Sequence, residues 1–127
     1  MIIARPLILL AVMLMTPAFT AEADELANDT LKRAGVPPAQ VEAQDAWENC
    51  TEQAVLKFAP QSEPATVVAT AVMATCVPEE IRYAQVMVDD PIIKKTDVTL
   101  AGMQASIEKA SMPELEAKIM ALRASRR

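Results

Sequence analysis

Two thiols and a scatter of carboxylates are the groups in this chain with chemistry to offer. Cys50 and Cys76 lie almost evenly either side of the turn-like segment Pro60-Gln61-Ser62-Glu63-Pro64. Redox or nucleophilic work by such thiols needs a two-residue spacing or a neighbouring base that generates the thiolate. The spacing here is wider, and the chain contains no histidine. The usual triads, histidine metal sites and the commonest general base are thereby excluded. Two thiolates without histidine make a poor metal site, so the pair reads as a structural disulfide.

The carboxylates fall into two groups. Asp45, Glu48 and Glu52 share one face at helical spacing, and Glu79 and Glu80 lie beside Pro78. Paired acids hydrolyse bonds only in a cleft with aromatic or polar walls, and the sequence offers few such side chains. A solvated acidic face that binds divalent cations at most weakly is the expectation, since no calcium-loop spacing is present. Met73, Met87, Met103, Met112 and Met120 are too dispersed for a soft-metal site and read as core filling. Trp47, three residues before Cys50, is expected to pack against the bridge, with a partner surface as the alternative. No catalytic residue, cofactor site or metal site is therefore assigned.

The elements that must position these groups begin with a candidate export signal. Arg5 precedes the apolar run Leu7 to Met15, and small residues lead to Ala21-Glu22-Ala23. This is the layout of a secretory signal peptide over residues 1–23, with cleavage after Ala23 and alternatives after Ala18 or Ala21. The apolar stretch is short of the roughly 20 residues that cross a bilayer. A periplasmic or secreted destination follows. Residues 24–127 then form a single domain of 104 residues, enough for one small core. It carries 16 acidic and 11 basic residues, without the clustered basic footprint of a nucleic-acid binder. Residues 42–90 carry −7 and residues 91–127 carry +3, halves that could dock within one monomer or between copies, or remain separately solvated.

Scarce glycine makes tight hairpins rare, while abundant alanine and aliphatic residues favour close-packed helices. The fold class is therefore all-α, a small helical bundle. A short first helix is expected at about 25–34, closed by Gly35 and Pro37. Pro37-Pro38 can open the next, where Ala43, Trp47, Cys50, Ala54 and Phe58 form one stripe as far as Phe58. Pro60 and Pro64 separate it from a third helix, with Ser62 as the expected N-cap. Residues Ala65 to Val77 carry no charge, which predicts enclosure on most sides. A buried strand is the alternative, but Ala69, Val72, Met73 and Cys76 repeat at helical spacing.

Pro78 should displace Val77 from helical geometry and cause a kink or a fresh start. Glu79 and Glu80 suit the first turn of a segment to about Val88, with Ile81, Ala84, Val88, Tyr83 and Met87 as its apolar rows. Asp89-Asp90-Pro91 breaks the pattern. Thr96 or Asp97 should cap a helix carrying Leu100, Met103, Ile107 and Ala110. Ser111-Met112-Pro113-Glu114 has the capping-box form and predicts a separate last helix with Leu115, Ile119 and Leu122 as its stripe. Arg123, Arg126 and Arg127 complement the negative end of that helix.

From Cys50 to Pro60 is ten residues and from Pro64 to Cys76 is twelve. At 1.5 Å per residue the arms of an antiparallel hairpin differ by about 3 Å, so the cysteines come level. Alanines 46, 54, 69 and 74 should allow the close approach that a bridge needs.

The run Trp47-Glu48-Asn49-Cys50, then Glu63-Pro64-Ala65, then Cys76 resembles a pattern in small secreted or periplasmic bacterial helical proteins, over roughly residues 45–80. A fainter likeness links the chain to periplasmic acid-stress chaperones, which are small, exported, helical and joined by one disulfide near a tryptophan. Together these readings point to an exported, non-enzymatic protein that acts on an unknown protein partner or as a homo-oligomer. A chaperone that binds unfolded clients after acid loosens its packing is the alternative.

Overall fold

A computed structural model describes residues 34–126. The chain divides into two units, Met1–Ala34 and Gly35–Arg127, and the described architecture is that of the second. The expected signal segment and all but the last residue of the expected first helix lie outside the described residues. Four α-helices and one short 3-10 turn make up the described regular structure: α1 (Pro38–Phe58), α2 (Ala65–Thr75), α3 (Val77–Val88), the turn Ile93–Lys95 and α4 (Leu100–Ser125). The all-α expectation holds, as does the antiparallel hairpin of α1 and α2.

The start of α1 follows from its two prolines. Gly35 takes φ +88°, a left-handed conformation that glycine adopts without a Cβ clash. Pro37 is the N-cap, and Pro38 occupies the first turn, where its missing N–H costs nothing. Helix α2 has Pro64, not Ser62, at its N-cap, without a side-chain cap hydrogen bond. The turn before it is held from a distance. Arg123 Nε donates to the Ala59 carbonyl at 2.9 Å, and its Nη2 reaches the carbonyls of Gln61 and Glu63 at 2.5 and 2.7 Å. Arg123 therefore secures the α1–α2 turn as well as standing near the negative end of its own helix.

Helices α2 and α3 are nearly one. The residue between them is Cys76, at φ −104° and ψ 18°, whose N–H still bonds back to Val72 and Met73 and whose carbonyl accepts from Glu80 N–H at 3.0 Å. Val77 is helical, contrary to the sequence expectation, and Pro78 sits in the first turn of α3. The departure from helical geometry falls at Cys76, one residue earlier than expected.

The α2–α3 arm packs against α1 and also against α4, while α1 and α4 meet along only a short stretch. The core comprises Ala54, Val55 and Ala59 from the α1 end, Val68, Ala69, Val72, Met73 and Cys76 from the arm, and Leu115 and Ile119 from α4. Trp47, Cys50, Phe58, Met112 and Leu122 close its edges. Burying each large aliphatic chain here contributes roughly 1.5–3 kcal/mol.

Helix α4 departs most from the sequence reading. Thr99, rather than Thr96 or Asp97, is its N-cap, accepting from Gly102 N–H at 3.1 Å. Thr96 instead closes the 3-10 turn, donating to the Ile93 carbonyl at 2.6 Å. The helix runs through Pro113 to Ser125 without the break that the capping-box form predicts. Ser111 donates its hydroxyl to the Ile107 carbonyl at 2.7 Å, one turn back, and so does not act as an N-cap. Ile107, Leu115 and Ile119 are buried at spacings of eight and four, whereas Pro113 is exposed. Continuity keeps that stripe on one face against the arm, outweighing the one backbone bond that Pro113 removes. Ala110, expected on the stripe, is exposed.

Candidate functional site

Cys50 and Cys76 are joined, with Cα atoms 5.9 Å apart. That separation lies within the ordinary range for a disulfide, and Ala54 and Ala69 are buried in the same core. Ala46 is half-buried, but Ala74, expected to help, faces outward. The bridge ties α1 to the single non-helical residue of the arm, so it pins the place where α2 gives way to α3. Closing this loop contributes about 3.5 kcal/mol on a chain-entropy basis. Trp47 is half-buried beside the core and stacks on Tyr83 of α3, with ring centroids 6.2 Å apart. Burial, helped by the charge of Glu48, raises the Tyr83 pKa above its ordinary value.

The carboxylates do not converge. Asp45 and Glu52 are exposed and Glu48 is half-buried on α1. Glu79 is half-exposed in the first turn of α3, but Glu80 is 1% exposed, which overturns the reading of a wholly solvated acidic set. Its Oε1 accepts from Gln104 Nε2 of α4 at 3.4 Å, and its Oε2 has no hydrogen-bond partner. Burial pushes the Glu80 pKa up; Gln104 pulls it back and the Glu108 carboxylate adds to the rise. Among the described residues no group of three or more histidine, cysteine or acidic side chains is placed to hold a metal ion.

Among the described residues the acidic and basic halves pair charges through the side chains of Asp89 and Lys94. Arg82 pairs with Glu42 across α3 and α1 at 2.6 Å, both exposed. Lys118 pairs with Glu114 one turn away, and Lys94 with Asp89 at 3.7 Å. Arg123 is spent on carbonyls. Such exposed ion pairs add little to stability.

The most distinctive surface lies on the arm. The uncharged helix is enclosed on one side only: Val68, Ala69, Val72 and Met73 are buried, whereas Thr66, Val67, Thr70, Ala74 and Thr75 are exposed. Val67 is 51% exposed, Val77 40% and Ile81 41%. Val67, Thr70, Ala74, Val77 and Ile81 follow one another at steps of three, four, three and four, which places them on one outward stripe across the Cys76 joint. Ile81 thus leaves the inner row expected of it. Beside the stripe, α2, the start of α3 and α4 line an open groove of about 460 Å³ formed by Thr70, Met73, Ala74, Val77, Glu108 and Met112. Met73 is buried and Met87, Met103 and Met112 are half-buried, as core filling requires, while Met120 is 62% exposed on α4.

The stripe was hidden in the sequence by its own lack of charge. Its spacing was the available signal, since two three-and-four patterns run through the same residues, one inward and one outward. Compared with protein-family models, curated proteins and solved structures, the chain gives no match.

Proposed function

We propose that this is an exported, non-enzymatic helical protein that works through protein–protein contact on the outward face of the α2–α3 arm. The observation that carries this reading is the stripe Val67, Thr70, Ala74, Val77 and Ile81, apolar or uncharged throughout and open to solvent beside the Met112 groove. The stripe itself carries no charge on a chain of net charge −5, so an apolar partner surface can cover it while Glu108 stays at the groove edge beside it. Export is supported by the N-terminal layout of residues 1–23 and by the disulfide, a bond that persists in oxidising compartments. The resemblance to secreted and periplasmic helical proteins points the same way. Among the described residues no helix is long and apolar enough to cross a membrane.

Affinity capture from the native envelope tests the reading. The wild-type protein should retain a defined polypeptide set that Ala74→Glu loses with its disulfide and helicity intact. An identical set for both proteins would overturn it.

A stress chaperone is the second reading, favoured by the flexible Met112 on the groove wall and the exposed Met120. Acid-triggered loosening finds no support at Glu80, whose protonation relieves a buried charge. Client aggregation at neutral and acidic pH separates the readings: absence of suppression at both removes the chaperone.

A further inference from the structure

Two segments of the chain share one pattern and differ in what they do. Cys76-Val77-Pro78-Glu79 separates α2 from α3, with Cys76 as the N-cap and Pro78 in the first turn. Ser111-Met112-Pro113-Glu114 has proline and glutamate at the same offsets behind a better capping residue, yet α4 continues through it. The unbroken helix lacks a bond to the Lys109 carbonyl, because Pro113 has no N–H to donate. It also leaves the capping box unused, since Ser111 donates to the Ile107 carbonyl instead. A break at Ser111 would put Pro113 in a first turn, where its missing N–H costs nothing, and would let Ser111 and Glu114 cap each other's backbone N–H groups.

The two halves of α4 are held unequally. Leu115 and Ile119 belong to the central core, and Arg123 is fastened to the α1–α2 turn. Of residues 100–110 only Ile107 is buried, and it lies outside that core cluster. This half covers Glu80, which is 1% exposed; Gln104 Nε2 gives its Oε1 a long hydrogen bond of 3.4 Å, and its Oε2 has no partner. The surrounding charges do not offset its own. Glu108 adds a second carboxylate from α4, and Glu79 precedes it on α3. From α1, Glu42 pairs with Arg82 and Glu48 acts on Tyr83, while Lys94 of the 3-10 turn pairs with Asp89. Covering Glu80 therefore costs little with a proton on it and much without one.

We propose that α4 is a two-state element: residues 100–110 continue the helix and cover Glu80 while it is protonated, and ionisation of Glu80 breaks the helix at Ser111 and releases that half. The covered form holds the proton more tightly, so the device is closed in acid and opens as pH rises through the value at which covered Glu80 ionises. Glu108 and Met112 form one wall of the groove beside α2, so opening also reshapes that groove. The switch stands apart from the contact reading of the arm.

The test is a pH titration followed by carbon-13 NMR on the oxidised protein, expressed with its N-terminal segment and recovered as the cell leaves it. The Glu80 carboxyl and the Ser111 backbone should titrate together, Ser111 moving from helical to extended shifts while Ile119 stays helical. Glu80→Gln should hold Ser111 helical throughout. Pro113→Ala restores the bond to Lys109 without touching Glu80 and should lower the open population about tenfold or more. Ser111 shifts that stay helical across the whole titration would overturn the proposal, as would a transition that persists unchanged in Glu80→Gln or in Pro113→Ala.

Discussion

Glu80 occupies a position that its sequence neighbourhood explains only in part. An acid in the first turn of α3 complements the helix dipole, and that much is visible from Pro78-Glu79-Glu80. The burial is not visible, because α4 covers the residue from 24 positions away, through Gln104. With one weak hydrogen bond and one unpartnered oxygen, the ionised side chain is costly. A raised carboxyl pKa in the folded state means that folding retains a proton the unfolded chain releases. The associated stability is fully present below the ordinary value of 4.5 and is lost as pH rises through the folded value. Glu80→Gln should therefore be more stable than wild type near neutrality, by on the order of 1 kcal/mol, and the gap should shrink towards pH 4. Thermal melts at several pH values check this, and a gap independent of pH would contradict it. At the same scale, Ile119 is fully buried among α2 and α4 core residues. Ile119→Ala should cost about 2–5 kcal/mol in denaturant unfolding.

At the scale of elements, the hairpin was legible because its determinants are local. Two prolines bound the turn, the stripe from Ala43 to Phe58 keeps helical spacing, and nearly equal arms bring the cysteines level. Reduction of Cys50–Cys76 should lower stability by up to about 3.5 kcal/mol, read from urea unfolding with and without reductant. The loss should concentrate where α2 meets α3, so hydrogen exchange at residues 74–80 should accelerate more than in α4. Elements fixed by distant contacts were not legible. The Ser111-to-Glu114 motif satisfies a capping box locally, yet Ile107, Leu115 and Ile119 need one unbroken face, and that shared burial decides the geometry. The role of Arg123 is likewise set from across the bundle. Arg123→Ala should destabilise by roughly 1–2 kcal/mol and speed exchange through residues 59–64, because three turn carbonyls lose a charged donor. A change confined to the α4 terminus would instead favour a purely dipolar role.

For the whole molecule, packing geometry explains how a charge-free helix ends half in solvent. The arm has a neighbour on two sides, α1 and α4, and a helix so placed buries one stripe and leaves the other. Composition announces the absence of charge but not the number of neighbours, so enclosure was expected where a surface is found. The disulfide fastens the joint of this arm, across which the outward stripe proposed for contact runs. Photo-crosslinking in the native compartment tests that claim most directly, with the reactive residue at Val67 on the stripe or at exposed Gln53 on α1. Position 67 should yield discrete polypeptide adducts, with itself or another chain, and position 53 should not. Equal yields from both positions, or none from position 67, would contradict a contact function for this face.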